Sequence, residues 1–65
     1  MYYIIDKKRI MVSAQHETEG LCRQHIRNAA SLFGNEPSNY FIANGAKERD
    51  AKLKELKHDA AHPQR

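Results

Sequence analysis

The chain has 65 residues. It is therefore one domain at most, and a chain of this size buries only about 60% of its unfolded surface. Its single cysteine excludes an internal disulfide and favours a reducing, cytoplasmic compartment. A net charge of +3 weakly favours an anionic partner. No apolar run suits a membrane span or a signal-peptide core, so we expect a cytoplasmic protein that is stabilised by self-association.

Residues 1–14 are predicted to be extended. Tyr2–Ile5 and Arg9–Ser13 are rich in β-branched and aromatic residues, which suit a half-buried pleated surface. Asp6-Lys7-Lys8 joins them as a hairpin turn, or all 14 residues form one longer strand; the turn lacks a glycine or asparagine for a positive φ. Alternation divides the second segment into two faces, one with Ile10, Val12 and Ala14 and the other with Arg9, Met11 and Ser13.

The excess positive charge lies in this extended region. Lys7, Lys8 and Arg9 outnumber Asp6, whereas acidic and basic residues nearly balance in the rest of the chain. Such a cluster suits phosphate binding. It equally suits a solubilising strand edge, because lysine prevents unwanted strand pairing.

Residues 15–33 are predicted to form the first helix. Ser13 is a candidate N-cap, and Glu17 and Glu19 suit the positive end of the helix dipole. Gly34 fits the left-handed position that ends helices. The apolar stripe at helical spacing consists of Leu21, Cys22, Ile26, Ala29, Ala30, Leu32 and Phe33.

Residues 37–61 are predicted to form a second, long helix. Pro37 suits its first turn, and Pro63 follows its end. Asn44-Gly45 is a possible break that would divide it in two. We expect a small α+β domain over residues 1–61, with a frayed tail at 62–65.

Two side-chain pairs were considered for chemistry. His58 and His62 have the i,i+4 spacing of a metal site, but solvated surface histidines are the more common explanation. Cys22 and His25 could form a thiol–imidazole pair, but Cys22 lies in the apolar stripe and suits a small buried position. No phosphate loop, nucleophile elbow or paired-carboxylate motif occurs. We therefore expect no enzyme activity, no cofactor, no metal and no small-molecule substrate.

The segment from Arg9 to about Leu56 resembles the ribbon-helix-helix family of Arc-like repressors and antitoxins. Three stretches carry the resemblance: the alternating Arg-Ile-Met-Val-Ser, the helix end Ala29-Ala30-Ser31-Leu32-Phe33-Gly34, and the helix start Pro37-Ser38-Asn39-Tyr40-Phe41-Ile42. A charged helix follows. The Met1–Ile5 strand is additional to the family pattern.

The resemblance implies a homodimer that binds double-stranded DNA as a repressor or antitoxin. Two strands would pair between copies and enter the major groove, and N–H groups near Ser38 and Asn39 would hold a phosphate. The implied DNA-binding residues are Lys7, Lys8, Arg9, Met11, Ser13, Ser38 and Asn39. The predicted dimer or core residues are Ile10, Val12, Leu21, Ile26, Phe33, Tyr40, Phe41 and Ile42.

A small protein-binding inhibitor or adaptor is the alternative function. In that hypothesis the N-terminal region is a hairpin, and either the hairpin or the C-terminal helix docks on a protein target. Strand pairing discriminates the two. Pairing of Arg9–Ser13 with a second copy favours DNA binding, whereas pairing with Tyr2–Ile5 of the same chain favours protein binding.

Overall fold

The computed structural model of the chain describes residues 1–61, and the predicted frayed tail at 62–65 lies outside the described part. Three strands, two helices and a 3-10 turn follow one another. In chain order they are β1 (Tyr2–Asp6), β2 (Met11–His16), α1 (Glu19–Phe33), the 3-10 turn (Pro37–Asn39), β3 (Tyr40–Asn44) and α2 (Ala46–Ala61).

The strands form one antiparallel sheet in the order β2-β1-β3. The central strand β1 pairs on one side with β2 and on the other with β3; Ile4, for example, lies opposite Ala14 and Ile42. Of the two predicted alternatives for the N-terminus, the structure therefore has the hairpin. The outer edges of β2 and β3 have no strand partner within the described chain.

The two helices pack on opposite faces of the sheet. The Arg49 guanidinium of α2 lies 4.7 Å from the centre of the Tyr3 ring, and Lys52 Nζ lies 4.7 Å from that of Phe41. Neighbouring strand residues alternate between faces, so Ile4 and Ile42 face the other way, toward α1. The result is three layers, helix on sheet on helix. The fully buried side chains between them are Ile4, Ile5, Cys22 and Ala43.

Exposure alternates along β2 as predicted, but Val12 and Ala14 do not share one face, because they lie opposite Ile5 and Ile4. Val12, Ala14 and His16 are half-buried, whereas the residues between them are exposed. A bulge interrupts the pairing, because Ile4 lies opposite Ala14 but Ile5 lies opposite Val12. The predicted strand start at Arg9 was wrong, because residues 7–10 form the hairpin turn.

The first helix begins later than predicted. Its N-cap is Thr18, whose hydroxyl accepts a hydrogen bond from the Leu21 N–H, and not Ser13. The physical reason is that the chain stays paired with β1 as far as His16. The predicted end is confirmed, since Gly34 adopts φ 71° and its N–H donates to the Ala30 carbonyl.

The predicted helix over 37–61 was wrong in its first third. Tyr40–Asn44 is a strand, and only Ala46–Ala61 is helical. A short apolar and aromatic run suits either structure, and the second free edge of β1 decides in favour of a strand. The suspected break is the true boundary, where Gly45 has φ 92° and its N–H donates to the Met1 carbonyl.

The predicted dimer or core residues differ in their burial within a single chain. Leu21 and Phe33 are 46% and 76% exposed, and Ile10 lies in the hairpin turn. The sequence analysis missed Ile4 and Ile5, because it assigned β1 no partner that would bury both of its faces. The remaining predicted residues are half-buried, namely Val12, Ile26, Tyr40, Phe41 and Ile42.

Candidate functional site

Two loops meet at one end of the sheet and form what we call the basic end: Lys7, Lys8, Arg9, Ser38 and Asn39. The hairpin turn supplies the cations, and the 3-10 turn supplies the two polar residues. Together with Asp6, Gly34, Asn35, Glu36 and Tyr40 they line an open cavity of about 640 Å³. The structure thus brings together five of the residues predicted to bind DNA.

Asp6 holds the two loops of the basic end in place. Its Oδ1 accepts hydrogen bonds from the backbone N–H groups of Lys8 and Arg9, each at 3.0 Å, and from Asn39 Nδ2 at 2.9 Å. Asn39 accepts two further hydrogen bonds from the hairpin turn. Its carbonyl accepts from the Lys7 N–H, and its Oδ1 accepts from the Lys8 N–H. Burial raises the pKa of Asp6, but the three hydrogen bonds together lower it by more than burial raises it. The net pKa therefore lies below the ordinary value.

The backbone donors at this end are already in use. The N–H groups of Lys7, Lys8 and Arg9 bond to Asn39 and Asp6, and the Asn39 N–H bonds to the Glu36 carbonyl. The Asn39 N–H is therefore not free for a phosphate in this conformation, and the predicted phosphate contact near Ser38 and Asn39 stays a prediction. An anion would be held here by the lysine and arginine side chains.

The other two predicted DNA-binding residues lie outside this cavity. Met11 and Ser13 are on β2, exposed, and do not line it. Ser13 is at the bulge and lines a small separate cavity of about 140 Å³ with Phe33 and His25. In this chain β2 is an edge strand of a three-stranded sheet.

A second cavity, of about 520 Å³, lies between α1 and the edge strand β3. We call it the α1–β3 groove and define it by Ile26, Ala30, Tyr40 and Ile42 on its floor and Glu19, Arg23 and Arg27 on its helical rim. The rim residues are four apart, so they form one stripe along the helix. Arg23 is paired with Glu19, while Arg27 has no ion-pair partner among residues 1–61.

The backbone of β3 presents alternate residues to its open edge. Lys7 N–H donates to the Asn39 carbonyl and Gly45 N–H to the Met1 carbonyl, so the odd-numbered residues of β3 bond to β1. The even-numbered residues Tyr40, Ile42 and Asn44 are directed outward. Tyr40 N–H bonds to the Pro37 carbonyl and Asn44 N–H to Glu48 Oε1 at 2.7 Å. The outward N–H of Ile42 is left for a partner.

The sequence analysis missed this groove because it assigned residues 40–44 to a helix. One signal for it was visible: Glu19, Arg23 and Arg27 are the only Asp, Glu, Lys or Arg residues in α1, at a regular spacing of four. That spacing placed all the formal charge of the helix on one flank.

A contact between His16 and His25 was not predicted from the sequence. His16 Nε2 and His25 Nδ1 are 3.1 Å apart, within hydrogen-bond distance, so His25 joins α1 to β2. Burial raises the pKa of the Cys22 thiol, which is fully buried. This environment does not suit a nucleophile. His62 of the other pair lies outside the described residues.

Within residues 1–61, no three His, Cys, Asp or Glu side chains are grouped so as to hold a metal ion. In the same part of the chain, neither helix has the length and apolar character needed to cross a membrane. Comparison with known proteins found no matching family model, curated protein or solved structure. The site must therefore be interpreted from its own geometry.

Proposed function

We propose that this protein is a non-enzymatic binding module that captures an extended, acidic segment of a partner protein in the α1–β3 groove. The observation that carries the proposal is the outward-directed backbone of Ile42, which lies beside an apolar cavity on an unpartnered sheet edge. A segment added there would form main-chain hydrogen bonds with β3 and place alternate side chains on the groove floor.

Charge supports an acidic partner. The helical rim carries two arginines and one glutamate, so its formal charge is positive, and Arg27 has no ion-pair partner among the described residues. The basic end adjoins the groove, because Tyr40 lines both cavities. A carboxylate on the bound segment would therefore meet cations along the rim and at one end of the groove.

Strand pairing also supports protein binding over the ribbon-helix-helix hypothesis. In the ribbon-helix-helix hypothesis strand β2 pairs with a second copy alone, whereas here one of its edges is bonded to β1 of its own chain and only the other edge is open. Pairing within the chain is the outcome that we expect for a protein-binding module. The family resemblance itself stays a prediction, since the described part of the chain has three strands and the ribbon-helix-helix pattern has one.

An NMR titration of the ¹⁵N-labelled protein tests the groove. The probe is a short synthetic peptide in which valine and glutamate alternate, and a valine–lysine peptide is its control. We expect the Ile42 amide to shift and to gain protection from hydrogen exchange, with a dissociation constant on the order of 100 µM. Absence of shifts along β3 and α1, or equal binding of both peptides, would contradict the proposal.

A matched pair of charge reversals locates the contact. Arg27→Glu should weaken binding of the acidic peptide roughly threefold to tenfold, because it reverses the charge on the rim. Lys57→Glu makes the same charge change at an exposed position of α2, on the opposite face of the sheet, and should leave binding unchanged. Equal weakening by both variants would indicate only a general effect of net charge.

A second candidate function is DNA binding through the basic end. It is supported by the convergence of Lys7, Lys8 and Arg9 with Ser38 and Asn39 at one end of the sheet. If Arg9 contacts a base, Arg9→Ala should weaken duplex binding by about 1–3 kcal/mol. A low-salt gel shift measures this, and unchanged binding removes that role. A shallow salt dependence would argue against phosphate contacts altogether.

A further inference from the structure

The flank of α1 opposite the groove carries no Lys, Arg, Asp or Glu and includes two exposed leucines. Leu21, His25, Asn28 and Leu32 are spaced by four, three and four residues, so they form one stripe along the helix. The bond between His25 and His16 places this stripe beside β2. Strand β2, Met11–His16, also lacks charged residues.

Large apolar side chains are concentrated on this uncharged surface. Leu21 is 46% exposed, Leu32 74% and Phe33 76%. Phe33 lines a small cavity with Ser13 and His25, which places its ring next to β2. Met11, 49% exposed, lies opposite Asp6 and so faces the α1 side of the sheet. Among the described residues, only Met1 is a further exposed large apolar side chain.

A solvated edge strand without charges is unusual, because isolated edges are normally protected by lysine, proline or a cover. The bulge in β2 gives partial protection, but the apolar flank beside it stays uncovered. Among residues 1–61, only four hydrophobic side chains are fully buried. A domain of this size commonly gains its missing burial by association.

We infer that this surface binds a second copy of the chain, with the two β2 strands paired antiparallel about a twofold axis. The surface is self-complementary, because two identical uncharged surfaces meet without like-charge repulsion. Pairing centred on Ser13 would bring Glu17, just past the end of β2, toward the hairpin turn of the other copy, which carries Arg9, twice by symmetry. The continuous sheet would then have six strands, with the two α1–β3 grooves at its outer edges.

The outward backbone of β2 gives a specific test of strand pairing. Even-numbered residues of β1 bond to β2, so His16 and Ala14 face inward and Gln15 directs its N–H outward. Gln15→Pro removes that outward donor and leaves the bonds to β1 in place. Gln15→Ala is the matched control, because it truncates the same side chain and keeps the N–H.

Sedimentation equilibrium of the full chain measures the association. We expect a dimer at concentrations on the order of 100 µM, weakened roughly tenfold or more by Leu32→Glu and by Gln15→Pro. Gln15→Ala and Ser31→Glu, which adds the same charge at the adjacent exposed position of α1, should leave the dimer intact. Circular dichroism checks that every variant is folded.

A monomer at that concentration, or a dimer that survives both Leu32→Glu and Gln15→Pro, would overturn the inference. Higher oligomers would overturn it as well, because a twofold interface closes on itself. The outcome is independent of the proposed peptide groove, which lies on the other flank of α1. Leu32→Glu should therefore leave binding of the acidic peptide unchanged.

Discussion

The two edges of the sheet differ in how their backbone is protected. At the β3 edge, the outward N–H of Tyr40 donates to the Pro37 carbonyl and that of Asn44 donates to the Glu48 carboxylate. Only the outward N–H of Ile42, between them, is left without an acceptor among the described residues. The β2 edge is distorted by a bulge instead and has no side-chain acceptor of this kind among the described hydrogen bonds. The β3 edge can therefore accept one short segment, because its end N–H groups already have acceptors. The uncharged β2 edge suits a longer pairing with the same strand of a second copy.

The flanking helix shows the same division. On the groove side, α1 presents its glutamate and two arginines, and on the β2 side it presents Leu21, Leu32 and a histidine. One helix thus separates a charged surface from an apolar one. This difference is the reason that we assign the two edges to two different partners.

The largest loss of stability is expected when the Asp6 carboxylate, which holds the turn between β1 and β2, is removed. Asp6→Ala leaves the Arg9 N–H and the Asn39 amide without their acceptor and removes one of the two acceptors of the Lys8 N–H, so we expect a loss of about 1–3 kcal/mol in the free energy of unfolding. Urea denaturation measures it. Asp50→Ala is the control, because that carboxylate forms only an exposed pair with Arg49 and should change stability little. Equal losses would show that the turn does not depend on Asp6.

Lowering the pH should reveal the same dependence of stability on Asp6, with a smaller effect. The pKa of Asp6 is lowered in the folded chain, so its contribution to stability is complete above the ordinary carboxyl value and is lost as the pH falls through the folded value. Thermal melts between pH 7 and about pH 2 should therefore fall less steeply for Asp6→Asn than for the wild type. Parallel curves would mean that other carboxylates dominate acid unfolding.

The first helix and the hairpin were largely predictable from local sequence. Gly34 after an apolar stripe marked the end of α1, and two β-rich segments around Asp6-Lys7-Lys8 gave the hairpin as one of two alternatives, the other being a single longer strand. Strand β3 was not predictable in the same way, because Tyr40-Phe41-Ile42 suits both helix and strand. This segment is a strand because it pairs with the second edge of β1, which lies about 35 residues earlier in the chain.

In the candidate site, too, features set by neighbouring residues were predictable, and those set by distant strand pairing were not. The cations of the basic end could be found from the sequence, because they are consecutive. The α1–β3 groove could not, because it depends on the misassigned strand. The dimer prediction rested on chain length and on a family resemblance; of the exposed residues in the proposed interface, Leu21 and Phe33 were predicted as dimer or core residues, and Leu32 only as part of the apolar stripe.

Glu48→Gln tests the protection of the β3 edge. The amide oxygen of glutamine can still accept from Asn44 N–H, but without charge, so we expect a loss of only about 0.5–1 kcal/mol in stability. The Asn44 amide should exchange faster with solvent in a hydrogen-exchange measurement. Glu55→Gln, whose carboxylate contacts only Lys52, serves as the control. Unchanged exchange at Asn44 would show that Glu48 does not close this edge.

The smallest effect is expected at Ile10, which closes the hairpin on the β2 side. Its φ of 55° lies in the left-handed region, where a β-branched residue is strained by about 1–2 kcal/mol. Ile10→Gly relieves that strain but loses a half-buried side chain and gains unfolded-state entropy, so the net change should be within about 0.5 kcal/mol. Val12→Gly removes a comparable half-buried, β-branched side chain from a regular strand and should cost clearly more. Chemical denaturation of both variants measures the difference, and equal losses would mean that the turn at Ile10 stores no strain.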